Sequence, residues 1–151
     1  TLIEKAVNLA TLAPSACNRQ PYSFYVSETQ KKAVEIALCA GGTPGWAKGI
    51  PCTIAIIGDL SAYPRERDRH LIYVDGSLAS MQLMLALETL GLSTCPINWP
   101  DIESAEKKMA TLLKLKPYER PIMLLSVGYA LNQGGVAYSQ KKNANILIKK
   151  V

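Results

Sequence analysis

Apolar positions along this chain follow two periods, and the longest regular one runs from His70 to Leu92, HLIYVDGSLASMQLMLALETLGL. Leu71, Val74, Leu78, Met81 and Leu85 recur at three- and four-residue spacing, and Ile72, Ala79, Leu83, Ala86 and Leu90 form a second apolar row. This spacing predicts one long helix, and two rows predict burial on more than one side, inside a domain or between subunits. The remaining polar residues Asp75, Gln82 and Thr89 recur every seven positions as a narrow stripe. Gly76, Ala79 and Ser80 share a face near its start, where small side chains admit a close neighbour, and Gly91 supplies the stop. Asp75, Ser77, Ser80, Gln82 and Glu88 interrupt the continuous apolar span that a bilayer requires.

Around this helix the pattern predicts alternating shorter elements. Leu2 to Leu12 reads as a helix stopped by Pro14, Tyr22 to Val26 as a strand, and Gln30 to Cys39 as a helix. Cys52 to Ile57 is a continuous apolar run of the kind found in a central strand. Asp59 to Arg69, with Pro64 and alternating charges, reads as a solvated loop whose Arg65, Arg67 and Arg69 could meet a substrate anion. Ser93 to Pro100 is short and partly extended. Asp101 looks like the N-cap or first-turn acid of a helix through about Leu113, and Ile122 to Val127 is another apolar strand closed by Gly128. No repeat, low-complexity tract or inner linker divides the chain, so residues 1–151 read as a single domain.

Composition narrows the class. With 48% hydrophobic and 19% charged residues the chain is globular. Its four cysteines, Cys17, Cys39, Cys52 and Cys95, are widely spaced and accompanied by one histidine, His70, which argues against structural zinc and for buried, reduced thiols. No secretory signal opens the chain, which makes a cytoplasmic location the default. The net charge of +5 favours anionic partners, yet Lys and Arg are scattered among acids and no nucleic-acid motif accompanies them.

Hydrolytic machinery is missing. A Cys17 and His70 nucleophile and base pair has little specificity, and paired carboxylates are absent from the loops. Two proline-bracketed segments remain, Pro14–Pro21 and Ser93–Pro100, and a glycine-rich turn lies between them. Pro14-Ser15-Ala16-Cys17-Asn18-Arg19-Gln20-Pro21 reads equally as a turn or as a rigid ligand-binding loop. Gly41-Gly42-Thr43-Pro44-Gly45-Trp46 is too short and wrongly spaced for a P-loop or dinucleotide fingerprint, and reads as a loop bordering a site. If the chain is an enzyme, a bound cofactor carries the chemistry.

APSACNRQP followed by a strand, then DGSLASMQLMLALETLGLSTCPINW, then a late VAYSQKK, together resemble the nitroreductase family of FMN-dependent oxidoreductases, in the right order over nearly the whole chain. The resemblance implies an α+β homodimer, with a mostly antiparallel sheet flanked by helices, the long central helix at the dimer interface, and two FMN sites each built from both subunits. It implies that Pro14, Ser15, Ala16, Asn18 and Gln20 line the flavin ring or ribityl chain. Pro96, Ile97 and Asn98 would lie against the ring face, and Lys141 and Lys142 would meet the phosphate. No metal and no obligatory side-chain acid or base is implied. NAD(P)H would reduce FMN, and a nitroaromatic, quinone or enone would then take the hydride in the same cleft. Family members begin with a further helix whose Arg-Ser-x-Arg type segment holds the phosphate, so the chain is expected to be N-terminally truncated. The competing readings are a non-catalytic dimeric module that keeps the fold, and a basic ligand-binding domain without flavin.

Overall fold

The computed structural model describes residues 1–132 and 134–151. The elements run α1 (Leu2–Ala10), β1 (Tyr22–Val26), α2 (Gln30–Cys39), β2 (Cys52–Asp59), α3 (Leu71–Thr89), β3 (Ser93–Asn98), α4 (Glu103–Leu113), β4 (Glu119–Gly128) and α5 (Ala144–Leu147). The four strands form one antiparallel sheet in the order β1-β2-β4-β3. β1 and β3 are therefore its two edges.

Strand periodicity explains why β2 reads as apolar throughout. Ile54 and Ile56 enter a core with Ala6, Ala10, Leu83 and Leu87 of α1 and α3, while Ala55 and Ile57 enter a second core with Ala33, Ile36 and Met109 of α2 and α4. β4 divides likewise, with Leu125 in the first core and Leu124 in the second. Both faces of the sheet are covered by helices, in three layers. Thr53, the second residue of β2, is fully buried and donates its hydroxyl to the Ala33 carbonyl of α2 at 2.9 Å.

The central helix is α3, and it seats on the sheet through small residues. Gly76, Ala79 and Ser80 are buried, and a Cβ on Gly76 would fall well inside contact distance of Ile122 Cδ1 on β4. A Cβ on Gly58 of β2 would meet Ile72 Cβ at 2.9 Å. Gly91 (φ 80°) ends the helix: its amide donates to Glu88 O and that of Leu92 to Leu87 O, the paired bonds of a Schellman motif. Of the two apolar rows, Ile72, Ala79, Leu83 and Ala86 are buried, whereas Val74, Leu78, Met81 and Leu85 remain 44% to 54% exposed. By length and composition α3 could cross a membrane, but its buried row is committed to the sheet and α1.

Several expectations change. The narrow polar stripe is not uniform in its surroundings: Asp75 is buried, Gln82 half-buried and Thr89 exposed. Helix α4 is preceded by Ile102 as N-cap, not Asp101, because a tight turn from Ile102 N to Pro100 O delays its start. Asp59–Arg69 contains two short 3-10 turns, Leu60–Ala62 and Glu66–Asp68. The cysteines are free, but none is fully buried: Cys17 and Cys95 are exposed, and Cys39 and Cys52 are half-buried.

Candidate functional site

The segment joining α1 to β1 is the most contorted backbone in the molecule. Cys17, Asn18 and Gln20 have φ of 53°, 52° and 48°, a region that asparagine tolerates and that costs other L-residues roughly 1 kcal/mol or more each. Side chains hold this shape. Ser15 Oγ accepts from Gln20 N at 3.0 Å, and Gln20 Nε2 donates to both the carbonyl and the side-chain oxygen of Asn18 at 3.2 Å. The loop is tied to α3 by Asp75, 3% exposed, whose Oδ2 accepts from Ala16 N at 3.1 Å and from the hydroxyl of buried Tyr63. Arg19 closes the outside, donating Nη1 to Ala62 O at 2.7 Å with its guanidinium 5.7 Å from the centre of the Tyr63 ring.

Burial, the hydrogen bond to Asp75 and that carboxylate's charge raise the Tyr63 phenol well above its ordinary range, against a smaller opposing effect of Arg19. The Tyr22 phenol is also raised, by burial first and the Asp75 charge second, and its hydroxyl is buried with no partner among the described residues. Asp75 is thus the electrostatic centre beneath the loop. What the loop offers outward is what these bonds leave over: the hydroxyl proton of Ser15, the amide N–H groups of Asn18 and the side-chain carbonyl of Gln20. The Ala16 amide is spent on Asp75. Such a mixed donor and acceptor set matches the imide edge and ribityl hydroxyls of a flavin.

Pro96, Ile97 and Asn98 lie elsewhere. They end β3 and line a cleft of about 410 Å³ together with Gly41, Gly42, Thr43 and Trp46. Pro96 and Asn98 are exposed, whereas the Ile97 side chain is buried in the core, so Ile97 meets a ligand only through its backbone. Register places the two patches on opposite edges and at different heights: Tyr22 pairs with Gly58 and Gly58 with Arg120 near the start of β4, whereas Asn98 and Pro96 pair with Met123 and Leu125 at its middle. Three strand spacings, about 14 Å in all, separate the edge strands, and helices cover the sheet between them. One chain does not bring Pro14–Gln20 and Pro96–Asn98 onto one ligand.

Lys141 and Lys142 are exposed in the tail; Lys141 Nζ bonds only Ser139 Oγ, at 3.2 Å, among the described residues. Arg67 and Arg69 form exposed ion pairs with Asp68 and Glu66 at 3.5 Å, and His70 Nδ1 lies 3.1 Å from Arg67 O, with no bond to Cys17. Sequence reasoning missed Asp75 and Tyr63 beneath the loop and the part Arg19 plays on its outside; the Gly41–Trp46 turn, expected to border a site, contributes Thr43 and Trp46 to the cleft beside β3.

Comparison with known proteins places this geometry. The Nitroreductase family profile matches residues 35–129. Over 164 residues the chain is 27% identical to YdgI of Bacillus subtilis (strain 168), whose name proposes an NAD(P)H nitroreductase, covering 85% of this chain and 77% of that one. The fold resembles an FMN-dependent nitroreductase from Clostridium difficile R20291, at a TM-score of 0.77 and 24% identity over 91% of this chain and 79% of that one. It also resembles a nitroreductase family protein from Streptococcus pneumoniae TIGR4, at a TM-score of 0.80 and 24% identity over 99% and 88%. The profile spans well over half of the sequence and includes the Gly41–Trp46 turn, α3 and β3, and so the chain belongs to the nitroreductase family.

Proposed function

We propose that the protein is an FMN-dependent NAD(P)H oxidoreductase that works as a homodimer, each site built from the Pro14–Gln20 loop of one chain and the β3 patch of the other. The observation that carries this reading is the separation of the two patches on opposite sheet edges, beside a row of half-exposed apolar residues on α3 that a partner would cover. The FMN named for the C. difficile relative and the NAD(P)H named for YdgI support the choice of cofactor and co-substrate.

When bound, FMN supplies the redox chemistry, taking hydride from NAD(P)H and passing it to a small acceptor such as a nitroaromatic, quinone or enone. The chain's own task is placement. Ser15 and Asn18 donate, and Gln20 accepts, at the polar edge of the ring and ribityl chain. Pro96 and the backbone from Ile97 to Trp99 form an apolar, donor-bearing wall, and the Gly41–Trp46 turn borders the cleft through which substrates reach it. No side chain in either patch need exchange a proton obligatorily. Lys141 and Lys142 would neutralise the phosphate from the tail. A cytoplasmic protein acting on small molecules, with neither nucleic acid nor membrane as partner, fits this assignment.

The exposure of Lys141 and Lys142 in the tail, with neither bonded to either patch among the described residues, favours, as a second reading, a dimeric module that keeps the fold without turnover. The visible spectrum of the purified protein separates the two. A flavin spectrum that bleaches with NADH or NADPH supports the oxidoreductase, and colourless protein that takes up no added FMN overturns it in favour of the module.

A further inference from the structure

We propose that Asp75 is a positioning residue for the cofactor loop: from the inner face of α3 its carboxylate fixes the Ala16 amide, and with Tyr63 sets the left-handed shape in which Ser15, Asn18 and Gln20 present their free groups. This rests on the reading of the loop as an FMN-binding element.

A buried carboxylate without a cationic partner is costly and persists only when its lone pairs are used. Asp75 has no ion pair among the described residues, and its Oδ2 takes two donors. Those donors come from different parts of the chain. Ala16 lies 59 residues before Asp75, and Tyr63 lies 12 before it. One oxygen therefore joins the central helix, the α1–β1 loop and the segment leading into α3. A fixed Ala16 amide anchors the first of the kinked residues, because Cys17 and Asn18 follow directly with positive φ and Asn18 N donates back to Ser15 O at 2.9 Å. Tyr63 closes the arrangement from the other side. Its ring carries Arg19, which lies between Asn18 and Gln20 and bonds Ala62 O. Every left-handed residue of the loop is thus within two positions of a group that Asp75 or Tyr63 holds. None of these groups needs to touch the ligand, which is why Asp75 counts as a positioning and not a catalytic residue.

The test uses the full chain, apo and with FMN, comparing wild type with Asp75→Asn, Tyr63→Phe and the double variant. Asn retains shape while removing the charge, and Phe removes one donor. FMN affinity comes from quenching of FMN fluorescence, and exchange of the Ala16 amide from NMR of the apo protein, with Leu125 N in the sheet as internal control. Loss of a charge-assisted bond should speed Ala16 exchange and raise the FMN Kd by about tenfold each in Asp75→Asn. Leu125 should be unchanged, and adding Tyr63→Phe should cost no more, since both act through one oxygen. Unchanged Ala16 exchange in Asp75→Asn overturns the proposal, as does faster exchange with an unchanged Kd. Should Asp75→Asn not fold, Tyr63→Phe decides alone, an unaltered Kd counting against. Wild-type protein that binds no FMN would refute the cofactor assignment, while Ala16 exchange would still report whether Asp75 holds the loop.

Discussion

Replacing Gly76 by alanine should reverse its effect on stability according to what stands at position 122. The added methyl would fall inside contact distance of Ile122 Cδ1, with Cγ1 and Cγ2 at 3.7 and 3.8 Å. Ile122 is 8% exposed and part of the core between α3 and the sheet, so Cδ1 cannot move freely into solvent. Overpacking of this kind costs about 1–3 kcal/mol, while alanine gains about 1 kcal/mol over glycine inside a helix. Gly76→Ala should therefore destabilise the wild-type protein by about 1 kcal/mol, with ~2 as the upper bound. Ile122→Val removes only Cδ1 and should by itself cost about 1 kcal/mol. In that background the clash is gone and only the helical gain remains, so Gly76→Ala should stabilise by about 1 kcal/mol. The coupling between the two sites is then ~2 kcal/mol, well above the scatter of independent sites. Urea unfolding followed by circular dichroism measures it, at one fixed protein concentration because assembly adds to apparent stability. Equal stabilisation by Gly76→Ala in both backgrounds would refute the seating of α3 on β4.

Leu85→Glu, on the half-exposed row of α3, should shift sedimentation from dimer to monomer and lower flavin content with it; a dimer that persists with full flavin would place the interface elsewhere. Asn18→Ala removes the amide donors and the acceptor of Gln20 Nε2, and should weaken FMN retention by roughly tenfold in a dialysis assay; unchanged affinity removes Asn18 from the site. The raised Tyr63 phenol predicts a pH effect of definite sign. Its proton is held more tightly in the folded chain than at the ordinary value of 10.0, so its contribution is complete below about pH 10 and is lost as pH rises further. Denaturation midpoints measured across that range should fall less steeply for Tyr63→Phe than for wild type, and parallel curves would contradict the burial of this hydroxyl.

Elements whose stability comes from local pattern were legible in the sequence. β1 and α2 have the predicted bounds, and β2 and α3 differ only at their ends, because period and capping act within a few residues. The Ser15, Asn18 and Gln20 loop was also legible, since proline brackets and turn-forming side chains announce constrained backbone. What lay beneath it was not. Asp75 sits at heptad spacing from Gln82 and Thr89, and periodicity alone cannot tell a solvated aspartate from one that meets an amide 59 residues earlier. The Gly41–Trp46 turn was legible as the border of a site, but not what it borders: Thr43 and Trp46 reach Pro96–Asn98 only because α2 and Ile97 share one core on the same face of the sheet. The split of the candidate site across the sheet depends on strand order, which hydropathy does not encode.

Pro96 has a role besides its place in the candidate site. β3 is an open edge, and such an edge presents a row of unpaired amides and carbonyls on which another strand can template. A proline there removes one donor from the row and is tolerated when its nitrogen points away from the ladder. The residue offered to a ligand thus also blunts strand-to-strand growth at this edge. A second copy meeting this edge finds an interrupted row and not a template on which the sheet can grow.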